Sequence, residues 1–260
     1  MIRRILVPLD GSSHAMAAVD YAATLARAHH AIVEGIVVIE PHTRDAIEER
    51  SRTLLDWFKD RCNEMRVSHT EAGVQGVPAR EILEEAKTYD LIVTGNRTHF
   101  HTRHPDKAGD SLSKILGETT CPILAVPDSR ADRSLRKVLV AYDGSPHASH
   151  ALRAFAAMAE PFTEPQPEIM ILCVEQKQPR GDRLVASAAS YLRSYGFGNV
   201  STRAEPIGGI LDIFHEEYRA DCDLVVCGTH AKGSGLYDFV VGGFTMGLIE
   251  DGRTPILFAQ

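Results

Sequence analysis

The stretch Arg4-Ile5-Leu6-Val7-Pro8-Leu9-Asp10-Gly11-Ser12 returns as Lys137-Val138-Leu139-Val140-Ala141-Tyr142-Asp143-Gly144-Ser145. In both copies a short apolar run ends on an acid, a glycine and a serine. A continuous apolar run of this length reads as a strand buried on both faces, as in a parallel sheet. The serine can cap a following helix. The repeat continues outward at the same spacing. His14-Ala15 returns as His147-Ala148, Asp90-Leu91-Ile92-Val93-Thr94-Gly95 as Asp223-Leu224-Val225-Val226-Cys227-Gly228, and Pro122-Ile123-Leu124 as Pro255-Ile256-Leu257. Gly109 and Gly242 keep that spacing too. Several separated blocks at one offset, far longer than a solenoid period, mark two copies of one domain. The copies span residues 1–128 and 136–260. The polar stretch Pro127-Asp128-Ser129-Arg130-Ala131-Asp132-Arg133-Ser134 reads as the linker.

Between the repeated blocks, strand and helix signals alternate. In the first copy, strands are expected at Ile5–Leu9, Ile32–Ile39, Val67–Thr70, Leu91–Thr94 and Ile123–Val126. Met16, Val19, Ala22, Ala23 and Ala26 would form the inner face of the first helix. A second helix is expected over about Arg44 to Met65, a third from Pro78, which suits a first turn, and a fourth over about Ser111 to Gly117. The second copy gives strands at Val138–Tyr142, Ile169–Val174, Val200–Arg203, Leu224–Cys227 and Ile256–Phe258, with Ser145-Pro146 as a helix start. Alternating strands and helices imply parallel sheets. The fold class is therefore α/β: two tandem units, each with about five mostly parallel strands flanked by helices.

Composition excludes several functions. The 260 residues are 44% hydrophobic and 24% charged, enough apolar material for a packed core. The net charge is −7 and neither half is basic, which argues against a nucleic-acid partner. No run reaches the ~18 apolar residues of a membrane span. The apolar start stops at Asp10, too early for a signal peptide, and the five cysteines Cys62, Cys121, Cys173, Cys222 and Cys227 have no paired spacing. These features predict a cytoplasmic protein with reduced thiols.

Ligands of open α/β sheets bind beyond the carboxyl ends of the strands. Three features meet there in each copy: the acid Asp10 or Asp143, the loop from Gly95 or Gly228, and the helix start after Gly109 or Gly242. A glycine at a helix start lets backbone N–H groups approach an anion, and the helix dipole adds attraction.

On these residues the chain resembles the universal stress protein family in both halves: Asp-Gly-Ser after a first strand, Asp-Leu-Ile/Val-Val-x-Gly, a glycine-containing loop, then Cys/Thr-Pro-Ile-Leu. The resemblance implies a tandem member with two flavodoxin-like, doubly wound domains. It also implies a cytoplasmic stress-response regulator that binds ATP or AMP, with Mg²⁺ as a candidate accompanying ion. Asp10 and Asp143 would meet the adenine end, Val38 and Val174 would offer backbone groups to the base, and Gly95 and Gly228 would approach ribose and phosphate. The family's signature Gly-x2-Gly-x9-Gly-Ser/Thr is altered in both copies. The first has Gly95-Asn96-Arg97-Thr98, then ten residues before Gly109, with Asp110 at the hydroxyl position and Ser111 one place late. A carboxylate there opposes phosphate, with Arg97, Arg103 and Lys107 as compensating cations. The second has Gly228-Thr229-His230-Ala231, ten residues, then Gly242-Gly243, with Lys232 and Thr245 as further expected phosphate contacts and His230 counted among the nucleotide-binding residues. Its paired glycines make the second copy the better expected phosphate cradle.

No nucleophile–base–acid set is visible, so no dedicated catalysis is expected beyond slow ATP hydrolysis. His14 and His147 read as rim residues. The loop histidines His99, His101 and His104 lack a cysteine or carboxylate to complete a metal set and read as a polar loop. Glu81, Glu84 and Glu85 read as a solvated helix face and Trp57 as packing. The last strands, Pro122–Val126 and Pro255–Phe258, are apolar edges that the resemblance assigns to pairing, giving an intramolecular pseudo-dimer and leaving a homodimer open. The competing functional reading is a degenerate interaction protein that binds another small molecule or a protein partner, with the protein partner unknown in either case.

Overall fold

A computed structural model describes residues 1–39, 44–98, 110–128, 135–162, 164–206, 210–218, 221–229 and 243–260. The chain divides into two compact units, Met1–Ala131 and Asp132–Gln260.

The first unit runs β1 (Arg4–Pro8), α1 (Ser13–His29), β2 (Ile32–Ile39), α2 (Arg44–Glu64), β3 (Ser68–Gln75), α3 (Pro78–Ala86), β4 (Leu91–Gly95), α4 (Asp110–Glu118) and β5 (Ile123–Val126). Its strands lie in the order β3-β2-β1-β4-β5 and their pairs are parallel. The apolar run behaves as its composition predicts. Ile5, Leu6 and Val7 are fully buried, each contributing about 1.5–3 kcal/mol by leaving water. Ser12 caps α1 by accepting the Ala15 amide at 3.1 Å. The buried face of α1 carries Ala15, Ala18, Val19, Ala22, Ala23 and Ala26, while Met16 is exposed. Val19, Ala22, Ala23 and Ala26 face inward as expected, whereas Ala15 takes the inner place expected of Met16; small alanines let the helix sit close on β1 and β4, its neighbours. The third strand is also longer than its apolar signal. It pairs with β2 over its full eight residues, as a polar edge strand with alternating exposure.

The second unit repeats this plan with β6 (Lys137–Ala141), α5 (Pro146–Ala159), β7 (Glu168–Val174), α6 (Gln178–Ser194), β8 (Val200–Glu205), α7 (Ile210–Ile213), β9 (Leu224–Gly228), α8 (Gly243–Asp251) and β10 (Ile256–Ala259). Its order is β8-β7-β6-β9-β10, again parallel. Here α7 is short and continues as a π-helical turn, Phe214–Tyr218, which buries Phe214. Arg203 on β8 pairs with Glu205 and with Glu217 of that turn, tying it to the edge strand.

The repeated acid of the Asp-Leu block closes the amino end of each sheet. Asp90 Oδ2 accepts the Arg3 and Arg4 amides at 2.7 and 3.0 Å. Asp223 Oδ2 accepts the Arg136 and Lys137 amides, both at 2.9 Å. One carboxylate therefore fixes the start of the first strand beside the fourth in both units. In each sheet the first strand lies between the second and the fourth, so the chain reverses direction across it. That reversal point is where an α/β sheet opens a crevice at its carboxyl edge.

Candidate nucleotide site

Each unit places an acid at the carboxyl end of its central strand. Asp10 Oδ1 accepts the Ser12 amide at 2.9 Å, and Asp143 Oδ1 accepts the Ser145 amide at 2.9 Å. The two turns share one conformation, with Gly11 at φ +78° and Gly144 at φ +76°. Only glycine adopts that region without strain. The serine that follows caps the next helix, so acid, turn and helix start form one rigid piece.

Beside each acid, the second strand extends past the first. The β1–β2 ladder closes where the Leu9 amide donates to Ile36 C=O at 2.8 Å. In a parallel strand alternate residues direct their backbone groups to opposite neighbours. Ile36 faces β1, so Val38 does too, at a level where β1 has ended. In the second unit the Tyr142 amide donates to Leu172 C=O at 2.9 Å, which puts Val174 in the same position. Both valines are half-buried. Each thus presents an N–H donor and a C=O acceptor next to an acid, a set suited to the edge of a planar heterocycle.

Gly95 and Gly228 end the fourth strands. A side-chain carbon on Gly95 would lie 2.5 Å from His14 Cβ and 2.9 Å from His14 C; one on Gly228 would lie 2.5 Å from Ala148 N and 2.7 Å from His147 C. These glycines let the first turn of α1 or α5 rest directly on the strand end, which narrows the crevice. In the first unit Asp128, read from the sequence as linker, belongs to this edge. Its carboxylate accepts the Ser13 hydroxyl at 2.9 Å and lies 3.5 Å from His14 Nε2. Pro146 at the Ser13 position leaves the second unit without a matching hydroxyl.

Two helices start at the same edge. Asp110 is the first residue of α4 and Ser111 the second, and Gly243 is the first of α8. Arg97 is exposed two residues past β4, whereas Asn96 and Thr98 are buried. Thr245 is buried, with its hydroxyl 4.0 Å from Cys227 Sγ. Burial pushes the Cys227 thiol up to about 12, so this sulfur is no nucleophile at neutral pH. Gly109, His230, Gly242, Arg103, Lys107, Lys232 and the His99, His101 and His104 cluster lie outside the described residues. Among the described residues no group of three or more His, Cys, Asp or Glu side chains could hold a metal ion. No helix among them is long and apolar enough to cross a membrane.

Sequence reasoning missed one neighbour of the site in each unit, Arg50 at the Gly11 turn and Leu184 at the Gly144 turn. They lie on the helices after the second strands, where the two copies are not in constant register, and no motif pointed to them.

Comparison with known proteins places this geometry. The sequence model of the universal stress protein family matches residues 1–127. A universal stress protein of Mycolicibacterium smegmatis is 24% identical over an alignment covering 98% of this chain and 96% of the relative. Universal stress protein MJ0531 of Methanocaldococcus jannaschii is 28% identical over 48% of this chain and 82% of its own length. Among solved structures, a universal stress protein from Archaeoglobus fulgidus superposes with a TM-score of 0.79 at 16% identity, covering 99% of this chain and 98% of that one. That likeness is one of fold, and it extends over both units.

Proposed function

Because the chain belongs to the universal stress protein family, as a tandem of two like units, we propose that it binds adenine nucleotide, ATP or AMP, at the carboxyl edge of each sheet and acts as a stress-response regulator. The observation that carries this reading is the duplicated base site: an acid locked by its own turn, beside a valine whose backbone pair faces the same opening. A carboxylate and a C=O accept from an exocyclic amine, and the valine N–H donates to a ring nitrogen. Gly95 and Gly228 bring backbone close to the ribose. The phosphates lie toward the starts of α4 and α8, where helix amides attract anions. Ser111 is the second residue of α4 and Gly243 the first of α8, and in sequence Gly109 and Gly242 immediately precede the two helices. Arg97 adds a side chain just past β4. Thr245, expected from the sequence as a nucleotide-binding residue, is buried beside Cys227 near the start of α8 and takes no direct part in this reading. Mg²⁺ would accompany ATP through the phosphates.

Nucleotide stabilises one loop arrangement and a protein partner reads it, which is regulation by population shift rather than turnover. Calorimetric titration of the full chain with AMP and with ATP plus Mg²⁺ tests the reading. Binding that falls in both Asp10→Ala and Asp143→Ala supports it; equal affinities for the parent and both variants contradict it. One observation favours a second reading for the first unit: Asp110 opens α4 where the family signature has a hydroxyl residue. If that unit binds no phosphate ligand, it serves as an interaction module for another small molecule or a protein.

A further inference from the structure

The two clefts differ in chemistry at the turn that ends the first strand. A side-chain carbon on Gly11 would lie 3.2 Å from Arg50 Nη2 and 3.8 Å from Arg50 Nε. On Gly144 it would lie 2.4 Å from Leu184 Cδ2. The turns share one conformation, and each acid spends Oδ1 on its own serine amide, so the difference lies in the residue above the turn. Arg50 is exposed on α2, whereas Leu184 is half-buried on α6. The first unit therefore sets a guanidinium beside the turn that follows its acid, and the second sets an isobutyl group beside an equivalent turn.

A guanidinium has only donors, in a planar fork. It matches a partner with two adjacent acceptors and opposes one that presents an amine. A 6-oxopurine offers O6 and N7 as such a pair, while its N1–H and 2-amino group are donors that a carboxylate accepts. A 6-aminopurine presents an amine in place of O6, which suits a carboxylate beside an apolar wall. We propose that Arg50 is a specificity-determining residue that turns the first cleft toward a 6-oxopurine nucleotide, while Leu184 leaves the second to a 6-aminopurine. The proposal rests on the nucleotide reading above and divides it between the two units.

Calorimetric titration of the full chain with GMP and with AMP tests it. The parent takes up one GMP per chain. Arg50→Leu weakens GMP about tenfold, the scale of one bidentate contact to a base, and strengthens AMP at the first cleft, whose turn then matches that of the second. Arg50→Lys keeps the charge without the fork and recovers only part of the GMP affinity. Leu184→Arg adds a second GMP equivalent. If Arg50→Leu and Arg50→Lys both weaken the two nucleotides alike, or weaken neither, the assignment of Arg50 is overturned while nucleotide binding stands. If the parent binds neither nucleotide, the underlying reading fails instead.

Discussion

Asp10 and Asp90, with their counterparts Asp143 and Asp223, look alike in sequence, each an acid beside an apolar strand. They sit at opposite ends of the sheet. A five-residue strand separates them by about 16 Å at ~3.3 Å per residue. Replacing Asp223 by alanine removes the acceptor of the Arg136 and Lys137 amides. A hydrogen bond to a charged group contributes about 1.5–3 kcal/mol, and two that share one oxygen are less than additive, so the expected loss is ~3 kcal/mol. Asp223 is 7% exposed, so water cannot readily replace the carboxylate. Asp90 is exposed, and its removal should cost about half as much. Asp223→Asn keeps a carbonyl oxygen without the charge and should fall midway, at ~1.5 kcal/mol. Urea unfolding followed by far-UV circular dichroism measures these losses, and AMP titration of the folded variants measures binding. Asp223→Ala should lower stability and leave affinity within about twofold, whereas Asp143→Ala, which loses one exposed hydrogen bond, should cost only about 1 kcal/mol and weaken binding. A stability loss below about 0.5 kcal/mol for Asp223→Ala, or nucleotide affinity that falls with it, refutes the division of labour.

Three further outcomes are expected. Asp143→Ala should weaken AMP binding more than Asp10→Ala, because the second copy keeps paired glycines at its helix start; calorimetry on the two variants decides it. Gly228→Ala places a carbon against backbone atoms of α5 that cannot rotate away, so it should destabilise the second unit by about 1–3 kcal/mol; a thermal melt unchanged from the parent would contradict the contact. All five cysteines are buried and none forms a disulfide, and burial raises Cys62, Cys121 and Cys227 to about 12. Native protein should therefore react slowly with a thiol reagent and release five equivalents once unfolded.

Much of the fold was legible because the repeat carried it. The strands, the serine caps and the proline-initiated helices follow from apolar runs and local hydrogen-bonding chemistry, and they recur where the sequence places them. The constant spacing of 133 concealed compensating shifts. From the strand registers, Val33 corresponds to Ile169, 136 positions later, and His69 to Val200, 131 positions later. The helices and loops between absorb the differences. Val38 and Val174 came from the family resemblance; they lie near the ends of the second strands and do not match at the common offset. The polar length of β3 was hidden since an edge strand needs no apolar alternation. The exposure of Met16 on α1 was hidden since Ala15, beside it, is small enough to take the inner place. Arg50 and Leu184 were illegible because they reach the site from a helix whose register is not shared. Gly95 and Gly228 stood out as motif glycines, but their contact with the first helix turn is a tertiary fact that no local pattern encodes.

The central claim is that the crevices at the carboxyl edges hold purine nucleotide. Mass spectrometry of small molecules released from the purified, denatured protein, with their stoichiometry, tests it most directly. The account predicts adenine nucleotide at one equivalent per chain or more. No nucleotide released, and no rise in melting temperature when AMP or ATP with Mg²⁺ is added, would contradict it.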